Sequence, residues 1–201
     1  MVDEKVREPK QKRSIEKKQN ILKAASDIFY EKGYEKTSIA EIAKKAGVSV
    51  GIVYSYFKDK KNIFLMVLKN LEDYFLNYFQ NFFEGINKID DMDFFIREII
   101  DLLIKSHIEQ SNLQKDMDVL RKIDKDIELY CNTVEEHVIE KFVEIFNQKG
   151  IVIENVYEKV SIIYFLVENV CHRKVLGCST KIDLDILKEE TISIIINIIR
   201  R

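Results

Sequence analysis

Glu168 and His172 stand four residues apart with Cys171 beside the histidine, so one helix face offers a carboxylate and an imidazole together. That pairing is a fragment of a metal site. No further ligand follows at a standard interval, and no metal centre is expected. Other reactive chemistry is equally sparse. The chain holds no nucleophile–base set, no glycine-rich phosphate loop and no paired acid motif. Neither an enzyme nor a resident cofactor is therefore expected. The three cysteines, Cys131, Cys171 and Cys178, form no CxxC pair and are odd in number, which fits free or buried thiols better than a disulfide framework.

Charge points instead to binding. The net charge of −2 conceals a split. Residues 1–61 carry 15 Lys and Arg against 9 Asp and Glu, a net of +6, whereas the rest of the chain carries 17 against 25, a net of −8. A basic head on an acidic body suggests a polyanionic partner for the head. The extreme N-terminus, with Lys5, Arg7, Lys10, Lys12 and Arg13, reads as a flexible basic arm over residues 1–13. Such an arm either follows a DNA groove or is a solvated tail. No run reaches the about 18 apolar residues of a membrane helix, and the first residues lack an apolar signal core. No membrane partner is expected, and the reading is cytoplasmic.

The elements that must present these groups are helices. One proline and six glycines in 201 residues, with abundant Ile, Leu, Lys and Glu, favour an all-α fold. Apolar spacing predicts roughly nine helices: 14–32, 39–46, 50–56, 59–83, 93–109, 111–123, 124–149, 154–175 and 184–201. Ser38-Ile39-Ala40-Glu41 is a capping box, Ser49 is placed to cap the third helix, and Asp59 the fourth. The second and third helices are short and joined by Gly47-Val48-Ser49, a turn in which glycine takes a φ that a side chain resists. Two short crossed helices of this kind are a helix-turn-helix, whose second helix enters the major groove.

The run Thr37-Ser38-Ile39-Ala40-Glu41-Ile42-Ala43-Lys44-Lys45-Ala46-Gly47-Val48-Ser49, then Gly51 and Val53-Tyr54-Ser55-Tyr56-Phe57-Lys58-Asp59-Lys60, resembles the N-terminal domain of TetR/AcrR-type transcriptional regulators. The preceding stretch from Ile21 to Tyr34 is similar too, so the resemblance covers about 14–71. It implies an N-terminal helix-turn-helix DNA-binding domain at 14–58 and a helical effector-binding and dimerisation domain at 59–201. By position, the resemblance implies that Thr37, Ser38, Tyr54, Tyr56 and Lys60 meet phosphates. It also implies that Ser49, Val50, Gly51, Ile52 and Ser55 belong to the DNA-facing surface. That face departs from the usual pattern: it has no Arg, Lys, Asn or Gln for bidentate base contacts, so shape readout is expected to contribute. Gly51 inside a helix costs about 1 kcal/mol relative to alanine. Either close packing on the second helix or close approach to DNA must explain it. Tyr54 and Tyr56 are either phosphate donors or half-buried core residues.

In the body, Tyr74, Phe75, Tyr78, Phe79, Phe82, Phe83, Phe94 and Phe95 crowd together, as an aromatic core or as the wall of an apolar pocket. Candidate effector residues are Tyr74, Tyr78, Phe79, Phe82, Phe95, His107, Tyr130, Glu168 and Asn169. The last two helices are apolar on more than one side, and Ile162, Phe165, Leu166, Val170, Ile192, Ile195, Ile196 and Ile199 are the candidate homodimer interface. The sequence thus predicts a DNA-binding repressor, a homodimer on a near-palindromic operator, released by a small apolar effector. The competing reading is a chromosome-associated DNA-binding protein on the same scaffold, without a small-molecule switch.

Overall fold

A computed structural model of the chain describes residues 12–84, 92–177 and 179–200. Among these residues are nine α-helices and no strand: α1 (Lys12–Lys32), α2 (Ile39–Lys45), α3 (Val50–Tyr56), α4 (Lys60–Glu84), α5 (Met92–Glu109), α6 (Ser111–Ile123), α7 (Lys125–Gln148), α8 (Val156–Leu176) and α9 (Leu184–Arg200). The all-α expectation holds. Helix α1 starts two residues earlier than expected, so Lys12 and Arg13 are helical rather than part of an arm. The other arm residues, Lys5, Arg7 and Lys10, lie outside the described residues, as does Cys178. No described helix is long and apolar enough to cross a membrane.

Local chemistry sets the short helices. Ser38 accepts from the Glu41 amide while the Glu41 carboxylate accepts from the Ser38 amide, closing the capping box at α2. Gly47 ends α2 with φ of +68°. The Gly47 amide donates to Lys44 O and the Val48 amide to Ala43 O. That pair of bonds is a Schellman close, and it fixes the angle at which the chain leaves α2. Ser49 then accepts from the Ile52 amide and starts α3 after a connection of only four residues, 46–49. Asp59 does the same for the Asn62 amide at α4, and Asp124 for the Asp126 and Ile127 amides at α7.

Three apolar clusters hold the molecule. The first joins α1, α2, α3 and the first half of α4 through Ile21, Phe29, Ile42, Val53, Phe57 and Phe64, and it also takes Leu113 and Leu120 from α6 and Ile127 from α7. The core of the reader therefore extends past the expected boundary at residue 58. The second half of α4 supplies Phe79 and Phe83 to another cluster, with Ile99 of α5 and Ile145 of α7. The third cluster is built from α5, α7, α8 and α9. One helix, α4, thus has its N-terminal half in the reader and its C-terminal half in the body.

Candidate DNA interface and effector cavity

The apolar side of α3, Val53 and Tyr56, faces inward with Phe57 just beyond it, and this leaves the other side free. Val50, Gly51, Tyr54 and Ser55 are exposed, with Ser49 and Ser38 at the two helix starts beside them. Tyr54 is 52% exposed, a large aromatic face with no internal role. A Cβ built on Gly51 meets only Ser49 Oγ, at 4.0 Å. Close packing on α2 is thereby removed as the reason for this glycine. Ile52 is half-buried against the reader core.

Two expected contact residues are placed elsewhere. Thr37 is 3% exposed. Its hydroxyl donates to Gly33 O at 2.6 Å and its amide to Tyr34 O at 3.1 Å, so both donors are spent on the turn between α1 and α2. Tyr56 is 8% exposed and its hydroxyl reaches Ser14 Oγ at 3.2 Å, tying α3 to α1. Both are corrected to structural residues, because both are buried and their hydroxyls bond within the protein, where the backbone turns or helices meet. Lys60 is half-buried: Nζ donates to Tyr34 O at 2.9 Å and lies 4.1 Å from the centre of the Tyr34 ring.

The reader is fastened to the body by α6 and the start of α7. Asn112 Nδ2 donates to Tyr30 O and Glu31 O, carbonyls of the last turn of α1 that have no helical partner. The Tyr34 amide donates to Asp116. Gly33, with φ of +84°, lies so near that a Cβ would fall 2.5 Å from Asp116 Oδ2. Lys61 pairs with Asp124 at 3.1 Å and Asp126 at 2.6 Å. These hydrogen bonds, the one to Asp126 first, push the Lys61 ammonium above the usual lysine range.

Behind the reader lies a cavity of about 300 Å³, walled mainly by leucine, isoleucine, valine and phenylalanine from α4 to α9. Two polar clusters interrupt its apolar lining, which also includes Gln114, Arg121 and Tyr164. In the first, Glu72 of α4 accepts from Tyr130 at 3.0 Å and pairs with His137 Nδ1 at 2.8 Å. Burial alone raises the Glu72 carboxyl, but the hydrogen bonds of His137 and Tyr130 outweigh it and leave it below the usual range. Burial and the Glu72 charge push the Tyr130 phenol upward. A lone buried carboxylate costs several kcal/mol, and these partners offset that cost.

The second polar group brings together His107 of α5 with Glu168 and His172 of α8. His107 Nε2 is 3.7 Å from Glu168 Oε1, and His172 Nε2 is 3.3 Å from Glu168 Oε2. Asp118 of α6 stands 3.9 Å from His172 Nδ1. Burial pulls the His107 pKa down, yet Cys171 and Glu168 override it and push it up to about 10. The carboxyl of Glu168 is raised by burial and lowered more strongly by His107, leaving it below the usual range. Sequence spacing shows Glu168 and His172 but not His107, which reaches them from another helix, 61 positions upstream of Glu168.

Of the expected effector residues, Phe79, His107, Tyr130 and Glu168 line the cavity, while Tyr74, Tyr78, Phe82, Phe95 and Asn169 do not. Tyr78 stacks on Phe82 at 5.9 Å, and Phe82 meets Phe95 edge-on at 5.1 Å, so these three form an aromatic seam between α4 and α5. Tyr74 is exposed, and Asn169 accepts from Arg173 on an exposed face. Glu72 is a cavity residue absent from those expectations; with its neighbour Asp73 it interrupts the apolar pattern from Ile63 to Phe83. That interruption was its available signal. Of the expected dimer residues, Val170, Ile192 and Ile195 are buried in the third cluster, at 1%, 0% and 2% exposure, and are corrected to core. The reason is that α8 and α9 pack on α5 and α7 as well as outward, so part of their apolar surface is consumed within the chain. Ile162 and Phe165 are exposed, and Leu166, Ile196 and Ile199 are half-buried.

Comparison with known proteins agrees with this architecture. Residues 21–67 match the bacterial regulatory proteins of the tetR family. The chain is 39% identical over 71 residues to the HTH-type transcriptional regulator HbdR of Aromatoleum sp. (strain CIB), a match covering 35% of this chain and 31% of that protein. It is 28% identical over 195 residues to the HTH-type transcriptional regulator YvdT of Bacillus subtilis, covering 89% and 93%. Among solved structures, the transcriptional regulator FadR from Bacillus subtilis in complex with stearoyl-CoA superposes with a TM-score of 0.62 at 20% identity, covering 89% of this chain and 97% of that one. An exposed α3 behind a capped α2 is thus carried by the stretch that matches the tetR family of bacterial regulatory proteins, on a helical fold like that of the solved regulators.

Proposed function

We propose that the protein is a homodimeric repressor that leaves its operator when an effector with an apolar body and a polar end enters the cavity. One observation carries this reading: α4 contributes Leu68 to both the reader core and the cavity wall, and Glu72, Phe75 and Phe79 to the wall beyond. A ligand that moves α4 therefore moves a helix that packs on α1 and shares the reader core with α2 and α3. The DNA-facing surface in this proposal is Ser38, Ser49, Val50, Gly51, Tyr54 and Ser55, with Ile52 and Lys60 at its edge. Because that surface has single-hydroxyl donors and no bidentate side chain, sequence readout relies on DNA shape and on thymine methyl contacts. A dimer pairing the exposed parts of α8 and α9 would set two readers about 34 Å apart, one helical turn of DNA.

The cavity speaks for a switch over a scaffold protein without one. The relative crystallised with stearoyl-CoA makes long-chain acyl thioesters and acids the first effectors to test. DNA fragments retained by the protein from a genomic library supply the operator. Its affinity is then measured with and without each saturating candidate. A true effector weakens operator binding by about 5–150-fold, and the operator weakens effector binding by the same factor. Unchanged operator affinity with every ligand that demonstrably fills the cavity would remove the switch from this proposal.

A further inference from the structure

We infer that His107, Glu168 and His172 form a binding site for one divalent transition-metal ion at a polar part of the cavity wall. Their donor atoms lie within 4.8 Å of one another. His107 Nε2 is 3.7 Å from Glu168 Oε1 and His172 Nε2 is 3.3 Å from Glu168 Oε2, so the carboxylate stands between the two ring nitrogens. The donors come from rigid positions on two packed helices, with Glu168 and His172 one turn apart on α8 and His107 opposite them on α5.

The surroundings orient the His107 imidazole as a ligand. His107 Nδ1 is 2.8 Å from Leu103 O. A carbonyl only accepts, so Nδ1 carries the hydrogen and Nε2 is the atom turned toward Glu168. Asp118 Oδ1 is 3.9 Å from His172 Nδ1, near that nitrogen but beyond hydrogen-bond distance, while Nε2 faces the same carboxylate. A metal-bound histidine typically has its second nitrogen held by a carbonyl or a carboxylate, as Leu103 O holds His107 Nδ1. The ring centres of His107 and His172 are 6.0 Å apart with the Glu168 carboxylate between them. One dication satisfies both neutral rings and the carboxylate together. Two imidazoles and one carboxylate suit zinc and its neighbours in the first transition row. Three protein donors leave a coordination position open toward the cavity.

The inference concerns binding of the ion and does not depend on repression or on any organic effector. The test uses the untagged full chain, stripped with a chelator, dialysed and titrated with Zn²⁺ and with Co²⁺. One ion binds per chain, cobalt develops the visible bands of a four- or five-coordinate nitrogen–oxygen site, and zinc raises the melting temperature. His107→Ala, His172→Ala and Glu168→Gln each abolish stoichiometric binding while circular dichroism shows the helices intact. Asp118→Asn, a change to a positioning residue, weakens binding by about 10–100-fold. The inference is overturned if the folded wild-type chain takes up no stoichiometric zinc or cobalt. It is likewise overturned if folded His107→Ala and His172→Ala variants bind undiminished, or if a sulfur-to-cobalt band reports Cys171 as the donor. Should an alanine variant unfold, the wild-type titration still decides the matter.

Discussion

Gly51 separates stability from function. In an exposed helix position it costs about 1 kcal/mol relative to alanine, and nothing inside the protein fills the space above it. Gly51→Ala is expected to stabilise the chain by up to about 1 kcal/mol in denaturant titration while weakening operator binding. Unchanged DNA affinity would show that α3 does not bring its backbone close to the duplex at this point. Thr37 should behave in the opposite way. Thr37→Val strands the Gly33 carbonyl and costs about 1–3 kcal/mol of stability. The affinity of the folded fraction should stay near wild type, whereas a large specific loss would restore Thr37 to the DNA surface. Glu41 offers a test of the capping box in acid. Hydrogen bonds from Lys32 first, then from the Ser38 side chain and backbone, lower its pKa to about 2. A folded-state pKa below the ordinary 4.5 contributes stability that is present above 4.5 and lost as pH falls through about 2. A carboxyl titration followed by NMR should place the Glu41 midpoint near 2, and a midpoint near 4.5 would mean that the box is open in solution.

In the proposed switch, α4 and α6 would couple cavity and reader. The sequence points to α4, because its apolar positions continue from Ile63 to Phe83 on either side of Glu72. The structure adds α6, which lines the cavity through Leu113, Gln114, Met117 and Asp118 and holds the end of α1 through Asn112 and Asp116. Adjacent residues of one short helix therefore face ligand and reader. Asn112→Ala with Asp116→Ala should leave cavity binding intact, measured by calorimetry. The ratio of operator affinities without and with effector should fall toward one from its expected 5–150-fold or so. A ratio equal to wild type would confine the signal to α4.

Assembly and charge act over the entire protein. The acidic body repels DNA while the basic head attracts it, so binding should weaken linearly with log salt, by about 0.9 per phosphate neutralised. Phe165 is 53% exposed and Ile162 lies one turn before it on α8. Removing an apolar side chain from an interface costs about 1.5–3 kcal/mol, and each change is felt twice in a symmetric pair. Phe165→Asp should weaken dimerisation at least about 100-fold in sedimentation equilibrium, with the loss of high-affinity operator binding. A dimer that survives this change along with Ile162→Asp would move the interface off α8.

Short-range physics made much of this protein legible before any coordinates. Capping boxes, a Schellman glycine and 3.6-residue apolar spacing act within one or two turns, so the helices and the helix-turn-helix follow from neighbouring residues, as Ser38, Gly47 and Ser49 illustrate. Which apolar face meets which partner is a long-range matter. An isoleucine on α9 reads the same whether it is sealed, as Ile192 is, or exposed, as Ile194 is, and the difference lies in where α5 and α8 pack. The cavity is of the same kind. Glu72 with Tyr130 and His137, and His107 with Glu168 and His172, come from segments dozens of residues apart, and only the packing of whole helices brings those side chains within bonding distance.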